Sequence, residues 1–591
     1  MHLVAKQVKG REYFYLVEKA RRQARVVTTR TVYIGDRQKL TELIQLSTAT
    51  VFPSSFTAQS VGAELALVEV ARELGLEEII DAVCPVRDGA APVGRRLLVM
   101  VIHRMVAPRT ANGLLQVRAR YEDSVLAELL PLEAAALDDR RLGELLAGLT
   151  ATAVEQIETR VVQRLVEREG VRTEALAFDC TNFDSYAGAR TASRLLRRGH
   201  AKSGRPLRVL GLGVLATDDE GIPLVTFTYP GNENGVVAFG RFLKALDRRR
   251  AKLPFPLEAT IAADGGNISK QLLLRLEKDP RYYVMRLPAH HLPDLARLPH
   301  LELPTLRGSL KGKVWAKKYV CPVYGVQRCV VDVYSARMHA RQRPGVERDR
   351  KRARAELSHL QAMLERQRAG LRRAKPLTIR TVRRRVERAL LREHMTTLFT
   401  VDITRGERAP TLQFTERPAA WQQLEDHVLG RTLLVTNRVD WSAEQTVHAS
   451  RKQSHNERIF RDLKDPSGVS MLPLRHRRDR ALRALALSVV LGFLLAKVVQ
   501  RRLKRAGVPA PSVGRLLREL RAIQRAHLHY GADAPAALRA LAATTWVPSQ
   551  RTPRQDALLR ALGLAERAEL GTTLAHAFSP KRRGRPAKHA A

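Results

Sequence analysis

The sequence predicts an α/β core preceded by a helical domain, on three observations. Apolar residues between about 61 and 170 recur every three to four positions, the spacing of helices packed on one face. After Gly170 that spacing gives way to short apolar runs bounded by turn residues. Those runs then alternate with helical patterns: three strands that begin with hairpin connections, a helix, a strand, a helix and a strand. This order matches the core of a ribonuclease-H-like fold, a mixed sheet with helices packed on it.

Taken in order, GREYFYLVEKARRQARVVTTRTVYIG at 10–35 holds two β-rich runs around a basic turn and predicts a hairpin. The helical stretch runs from VGAELALVEVARELG to TAVEQIETRVVQRLVEREG. EALAFDCTNF is the first core strand, and RVLGLGVLATDDEGIPLVTFTYPGN is two strands joined at Asp218–Gly221. GVVAFGRFLKALDRRRAK is an amphipathic helix, LEATIAADGG the fourth strand, SKQLLLRLEKD a helix capped by Ser269, and YYVMRLP the fifth strand. Between about 290 and 440 the pattern is interrupted by strand-like runs and a basic helical hairpin. That hairpin's charge is a solvated coiled-coil face or a DNA-backbone contact. RTLLVTN then supplies one more strand, Trp441–Asp465 a helix, and 479–505 a buried-type helix; the last 80 or so residues read as helical fragments.

The expected organisation is a β-hairpin region (1–50), a helical, DNA-end-binding domain (51–170) and the first part of the core (171–290). A β-rich insertion with a basic helical hairpin (291–440), the second part of the core (441–505) and a basic C-terminal region (506–591) follow.

In 591 residues, 102 Lys+Arg against 59 Asp+Glu leave a formal charge of +43, while hydrophobic residues make up 45%. The second number excludes a disordered polycation. The first calls for a polyanion, with nucleic acid the leading partner. The most apolar run, Ala484–Ala496, is too short to span a membrane and is bracketed by Arg483 and Lys497. No signal-peptide core opens the chain, and four cysteines in this length indicate a reducing compartment, not a disulfide scaffold.

The chemistry gathers on three carboxylates. Asp179 ends the first core strand and Asp264 the fourth, and this topology makes those strands neighbours at the sheet centre. HASRKQSHNERIFRDLKD, 448–465, has no Gly or Pro and reads as part of one helix, with Ser450, Gln453, Glu457, Arg461 and Lys464 on one face and Ile459, Phe460 and Leu463 on the other. Alone, Glu457 and Arg461 would be a surface ion pair worth a few tenths of a kcal/mol. Packed across the sheet, the helix brings Glu457 to the two aspartates. Three such carboxylates suit two hard divalent cations, Mg²⁺ or Mn²⁺, of the kind that activate a water or 3′-hydroxyl for in-line attack on phosphorus.

QSHNERIFRDLK resembles the last acidic motif, YKxQxxVExxFRxLK, of one branch of the IS-four superfamily of DDE-type bacterial insertion-sequence transposases. DCTNFDSY, RGHAKSGRPLRVLGLGVLATDDEGIPL, TYPGN and AADGGNIS resemble its earlier segments in the same order, and the likeness covers most of 10–505. The resemblance implies cut-and-paste transposition: cleavage of double-stranded DNA at the element's terminal inverted repeats, then strand transfer into target DNA. It also implies Asp179, Asp264 and Glu457 as metal ligands, and a homodimer joining two ends in the bacterial cytoplasm, associated with the nucleoid. DNA contacts are expected from Lys464, matching the Lys of the superfamily's Tyr-Arg-Glu-Lys signature, and from Arg458, Arg461, Gln453, Lys202 and Arg205. The chain departs from the pattern at Ser450 (Tyr in the signature), at Gln453 (Arg in many members), at Gly265 and in Arg205-Pro206-Leu207, where the family has RPDL. Two other readings remain open, an inactive element-derived DNA-binding protein and a structure-selective nuclease with the same core.

The tail Lys581-Arg582-Arg583-Gly584-Arg585-Pro586 resembles an AT-hook, in which Arg583 and Arg585 would enter a narrow A·T minor groove; the alternative is a basic tail attracted to any phosphate.

Overall fold

The computed structural model describes residues 2–569 except 23–24, 49–51, 87–88, 108–115, 189, 200–203, 265–267, 290–291, 297, 308–309, 372–376, 466–468, 470, 473 and 544. The tail motif at 581–586 therefore lies outside the described residues, as does Lys202.

The N-terminal hairpin has a third strand: β1 (His2–Val8), β2 (Arg11–Arg22) and β3 (Arg25–Asp36) form an antiparallel meander that runs into α1 (Arg37–Thr48). Strand β4 (Ser55–Ser60) leads to the helical region: α2 (Gly62–Glu73), α3 (Leu76–Val83), α4 (Val93–Val106), α5 (Val117–Glu122), α6 (Leu126–Leu129), α7 (Asp139–Gly148) and α8 (Ala151–Glu169). Thr150 caps α8, accepting from the Ala153 N–H at 3.0 Å, and Gly170 ends it in the left-handed region at φ 54°, a backbone that glycine adopts without a Cβ penalty.

Next come β5 (Ala175–Ser185), β6 (Arg197–Arg198), β7 (Arg208–Thr217), β8 (Pro223–Pro230), α9 (Gly235–Arg249), β9 (Thr260–Ala263), α10 (Lys270–Leu276), β10 (Tyr282–Leu287) and α11 (Pro293–Ala296). The 291–440 stretch contributes β11 (Val314–Val323), β12 (Val326–Ser335), α12 (Ala336–Arg368), α13 (Ile379–Ala389), α14 (Met395–Leu398), β13 (Phe399–Thr404), β14 (Thr411–Glu416), α15 (Pro418–His427) and β15 (Arg431–Thr436). A mixed nine-stranded sheet runs β11-β12-β15-β10-β9-β5-β7-β6, with β8 paired to β7. Here β5, β9 and β10 are mutually parallel and the other pairings antiparallel. The β11–β12 hairpin thus extends the core sheet, whereas α12–α15 and the β13–β14 pair close over a small core of their own around Leu357, Leu360, Leu364, Val382 and Val386.

The helix expected over Trp441–Asp465 is two helices, α16 (Ala443–Arg451) and α17 (Ser454–Lys464), broken at Lys452 and Gln453. Tertiary contacts set that break. Helix α16 crosses β9, β10, β15 and the β11–β12 hairpin, α17 lies along β5, and Lys452 in the joint pairs with Asp218 at 2.5 Å.

The buried-type helix is α18 (Asp479–Arg505), the hub against which α2, α4, α7, α8 and β8 pack. It is long and apolar enough to cross a membrane, but 89% of its most apolar window is buried within the fold. The C-terminal region is α19 (Val513–Arg521), β16 (Gln524–His529), α20 (Ala536–Ala542), β17 (Trp546–Pro548) and α21 (Pro553–Ala561). It is not purely helical: β16 pairs with both β17 and β4. Local pattern could not show that pairing, since its partner strand lies more than 460 residues upstream.

Candidate active site

Period-2 alternation divides the side chains of β5 between two faces. Phe178 stacks on Phe242 at 4.2 Å and packs tilted against Phe239 at 4.8 Å, so it faces α9 with Cys180 beside it at Gly213. Ala177, Asp179, Thr181 and Phe183 face the other way, toward α17. The Lys464 ammonium donates to the Thr181 hydroxyl and sits 5.3 Å from the Phe183 ring centroid. The buried Asn456 donates from Nδ2 to the Ala177 carbonyl at 2.9 Å. Helix α17 therefore follows β5 in the same direction, its first turn level with Ala177, two residues before Asp179.

The parallel register pairs Phe178 with Ala263, so Asp179 and Asp264 are the next residues of adjoining strands. The Asp179 Oδ1 accepts from the Cys180 N–H at 2.7 Å. Burial, with the Asp179 carboxylate beside it, pushes the Cys180 thiol up to about 12, which keeps it protonated and excludes it as a nucleophile. The half-exposed Asp264 pairs with Arg286 of β10 at 3.6 Å.

Glu457 is exposed on α17, and no Glu457–Arg461 ion pair forms among the described residues. It lines a cleft of about 600 Å³ with Ser450, Gln453, Arg286, Arg337, Arg341 and Arg451. Ser450, Gln453 and Glu457 thus share one cleft despite the helix break. Arg286 also lines the neighbouring cleft that holds Asp264, so it stands between the two carboxylates. Burial and then the like charge of Arg337 hold the Arg451 guanidinium below its usual range. Crowded guanidiniums of this kind fit an anion.

Four site residues were missed in the sequence: Arg286, Arg337, Arg341 and Arg451. Only Arg286 carried a local signal, as the cation ending a strand beside the Asp264 strand. Of the predicted DNA contacts, Lys464 is half-buried against β5, Arg458 and Arg461 are exposed on α17, and Arg205 is exposed in the loop before β7.

The donor set, carboxylates with an open side, suits a hard divalent cation. Among the described residues no three acidic, His or Cys side chains converge closely enough to form a ready metal shell.

Residues 189–493, just over half of the chain, match the family model for the transposase DDE domain. The chain belongs to that family. The match contains Asp264, Glu457 and Lys464 and begins beyond Asp179. Membership in the transposase DDE domain family makes the protein a transposase, a DNA-cleaving phosphoryl-transfer enzyme of a family that generally uses divalent metal ions. No curated protein matches the chain. Among solved structures it is similar to a piggyBac transposase synaptic complex with hairpin DNA, at 9% identity and a TM-score of 0.35 over 79% of this chain and 82% of that one.

Proposed function

We propose that this transposase cuts double-stranded DNA at the terminal inverted repeats of a bacterial insertion sequence and transfers the freed ends into target DNA. Its core is read as ribonuclease-H-like and of the IS-four superfamily, with Asp179, Asp264 and Glu457 as the catalytic carboxylates. The observation that carries this reading is the β5–β9 register, which makes Asp179 and Asp264 neighbours on parallel strands with α17 anchored alongside.

The three carboxylates would hold two Mg²⁺ or Mn²⁺ ions. Such ions activate an attacking oxygen and stabilise the leaving one in an in-line displacement. The chain's own residues do the positioning. Arg286, Arg337, Arg341 and Arg451 accept the phosphates of the strand that enters the Glu457 cleft. Lys464, fixed between Thr181 and Phe183, holds the DNA end as a point charge, with Arg458, Arg461, Gln453 and Arg205 on the backbone.

The boundaries proposed are those read from the sequence, with 51–170 binding the element end. The transposase acts as a homodimer on two ends, in the cytoplasm at the nucleoid, and the 581–586 tail adds a DNA contact. A plasmid carrying the flanking repeats tests the reading: metal-dependent nicking at the repeats supports it, and equal cutting of branched DNA of any sequence refutes it.

A further inference from the structure

The basic helical hairpin of the insertion carries both paired and unpaired cations. On α12 and just beyond α13, four arginines are matched by acids, Arg343 by Glu425, Arg352 by Glu356 at 3.0 Å, Arg354 by Glu416 and Arg392 by Asp349 at 2.9 Å, while Arg337, Arg341 and Arg348 of α12 are in no ion pair among the described residues. Helix α13 differs. Its Val382, Val386 and Ala389 are buried against α12, which fixes its orientation and turns Arg380, Arg383, Arg384 and Arg388 outward. None of those four is in an ion pair among the described residues, and Glu387 on the same helix pairs with none of them.

Arg380, Arg384 and Arg388 recur every four residues, so they form one stripe with steps of about 6 Å. Like charges at that spacing destabilise a helix. A polyanion with regularly spaced charges relieves that repulsion, whereas a solvated face leaves it in place. The part of α12 under α13 begins at Ala353, roughly 25 Å along the helix from the Arg337 end that lines the Glu457 cleft.

We propose that the α13 arginine stripe is a second, sequence-independent docking surface for duplex DNA, gripping backbone phosphates away from the cleavage step. This rests on the reading of the protein as a DNA transposase, but it concerns a surface outside the carboxylate site.

The test uses the full chain in EDTA, where cleavage cannot contribute, with a labelled duplex unrelated to any element end. Binding is measured from about 50 to 200 mM salt. Replacing Arg380, Arg384 and Arg388 together by Gln should make the log–log salt slope shallower by between about two and three, as three lost phosphate contacts require. Over that range the wild type then loses roughly 40-fold more affinity than the variant. The paired control Arg352→Gln/Arg354→Gln should keep the wild-type slope, and circular dichroism shows whether each variant is folded. A folded triple variant with an unchanged slope, or a control that loses as much, overturns the proposal. Metal-dependent nicking of an end-bearing plasmid by the wild type is read separately from this metal-free binding, so failure of the catalytic reading and failure of this one are separately visible.

Discussion

Asn456 donates from Nδ2 to the Ala177 carbonyl at 2.9 Å, one residue before Glu457 on α17 and two before Asp179 on β5. This contact sets the height of the helix on the strand, and so sets where Glu457 stands relative to the aspartates. Asn456 is fully buried. Asn456→Ala should cost about 0.5–1.5 kcal/mol of stability, the net worth of one hydrogen bond, since the Ala177 carbonyl keeps its place in the β5–β7 ladder. Urea unfolding reads the loss. Plasmid nicking should fall further than the folded fraction does.

Lys464 places its ammonium both at the Thr181 hydroxyl and 5.3 Å from the Phe183 ring centroid. Lys464→Met keeps the stem and removes the charge. The expected outcome is a melting temperature within a few degrees of wild type, with binding to the element end weakened at least tenfold. Anisotropy with a labelled end checks it, and undiminished affinity would remove Lys464 from the DNA contacts.

Glu158 of α8 and Arg249 at the end of α9 form a buried pair at 2.9 Å, with Glu158 also accepting from the Thr226 N–H of β8 at 3.0 Å. It ties the helical region to the sheet. Burial raises the Glu158 carboxyl, and the Arg249 charge works against that. Arg249→Met should cost about 3–5 kcal/mol by leaving a buried carboxylate without its counter-charge, while the Glu158→Met/Arg249→Met double variant should regain most of it. Chemical denaturation of both variants decides.

His103 on α4 is 4% exposed, and burial depresses its imidazole to about 4. The folded state therefore binds fewer protons than the unfolded chain, where histidine titrates near 6.5. That contribution is whole above about pH 6.5 and is lost as pH falls toward 4, to a total of roughly 3 kcal/mol. Melting curves at pH 7 and pH 5 should differ more for wild type than for His103→Leu. Parallel pH dependence would show that His103 is not the group responsible.

The strands that carry the aspartates were legible as short apolar runs, but β5 does not end on Asp179 as expected: it runs on to Ser185 because its pairing with β7 continues, and only Asp264 stands at a strand end. The period change after Gly170 marked where they begin. Lys464 and the apolar side of α17, Ile459, Phe460 and Leu463, were legible from helical spacing, and all three apolar residues are buried. The break at Lys452–Gln453 was not, since both halves keep a helical pattern and neither residue is a helix breaker. It is set by Asp218, which reaches Lys452 from a turn more than 230 residues away. The arginine cluster as a whole was not legible for the same reason: Arg286, Arg337 and Arg451 come from a strand and two helices that the β12–β15–β10 pairings and the packing of α16 on those strands bring together.

The central claim is that Asp179, Asp264 and Glu457 together make the cleavage site, and single-strand nicking of an end-bearing plasmid tests it most directly. In Mg²⁺ the wild type should nick at the ends, and Asp179→Ala, Asp264→Ala and Glu457→Ala should each reduce nicking to background while remaining folded. Nicking by Asp264→Ala at the wild-type rate would contradict the account.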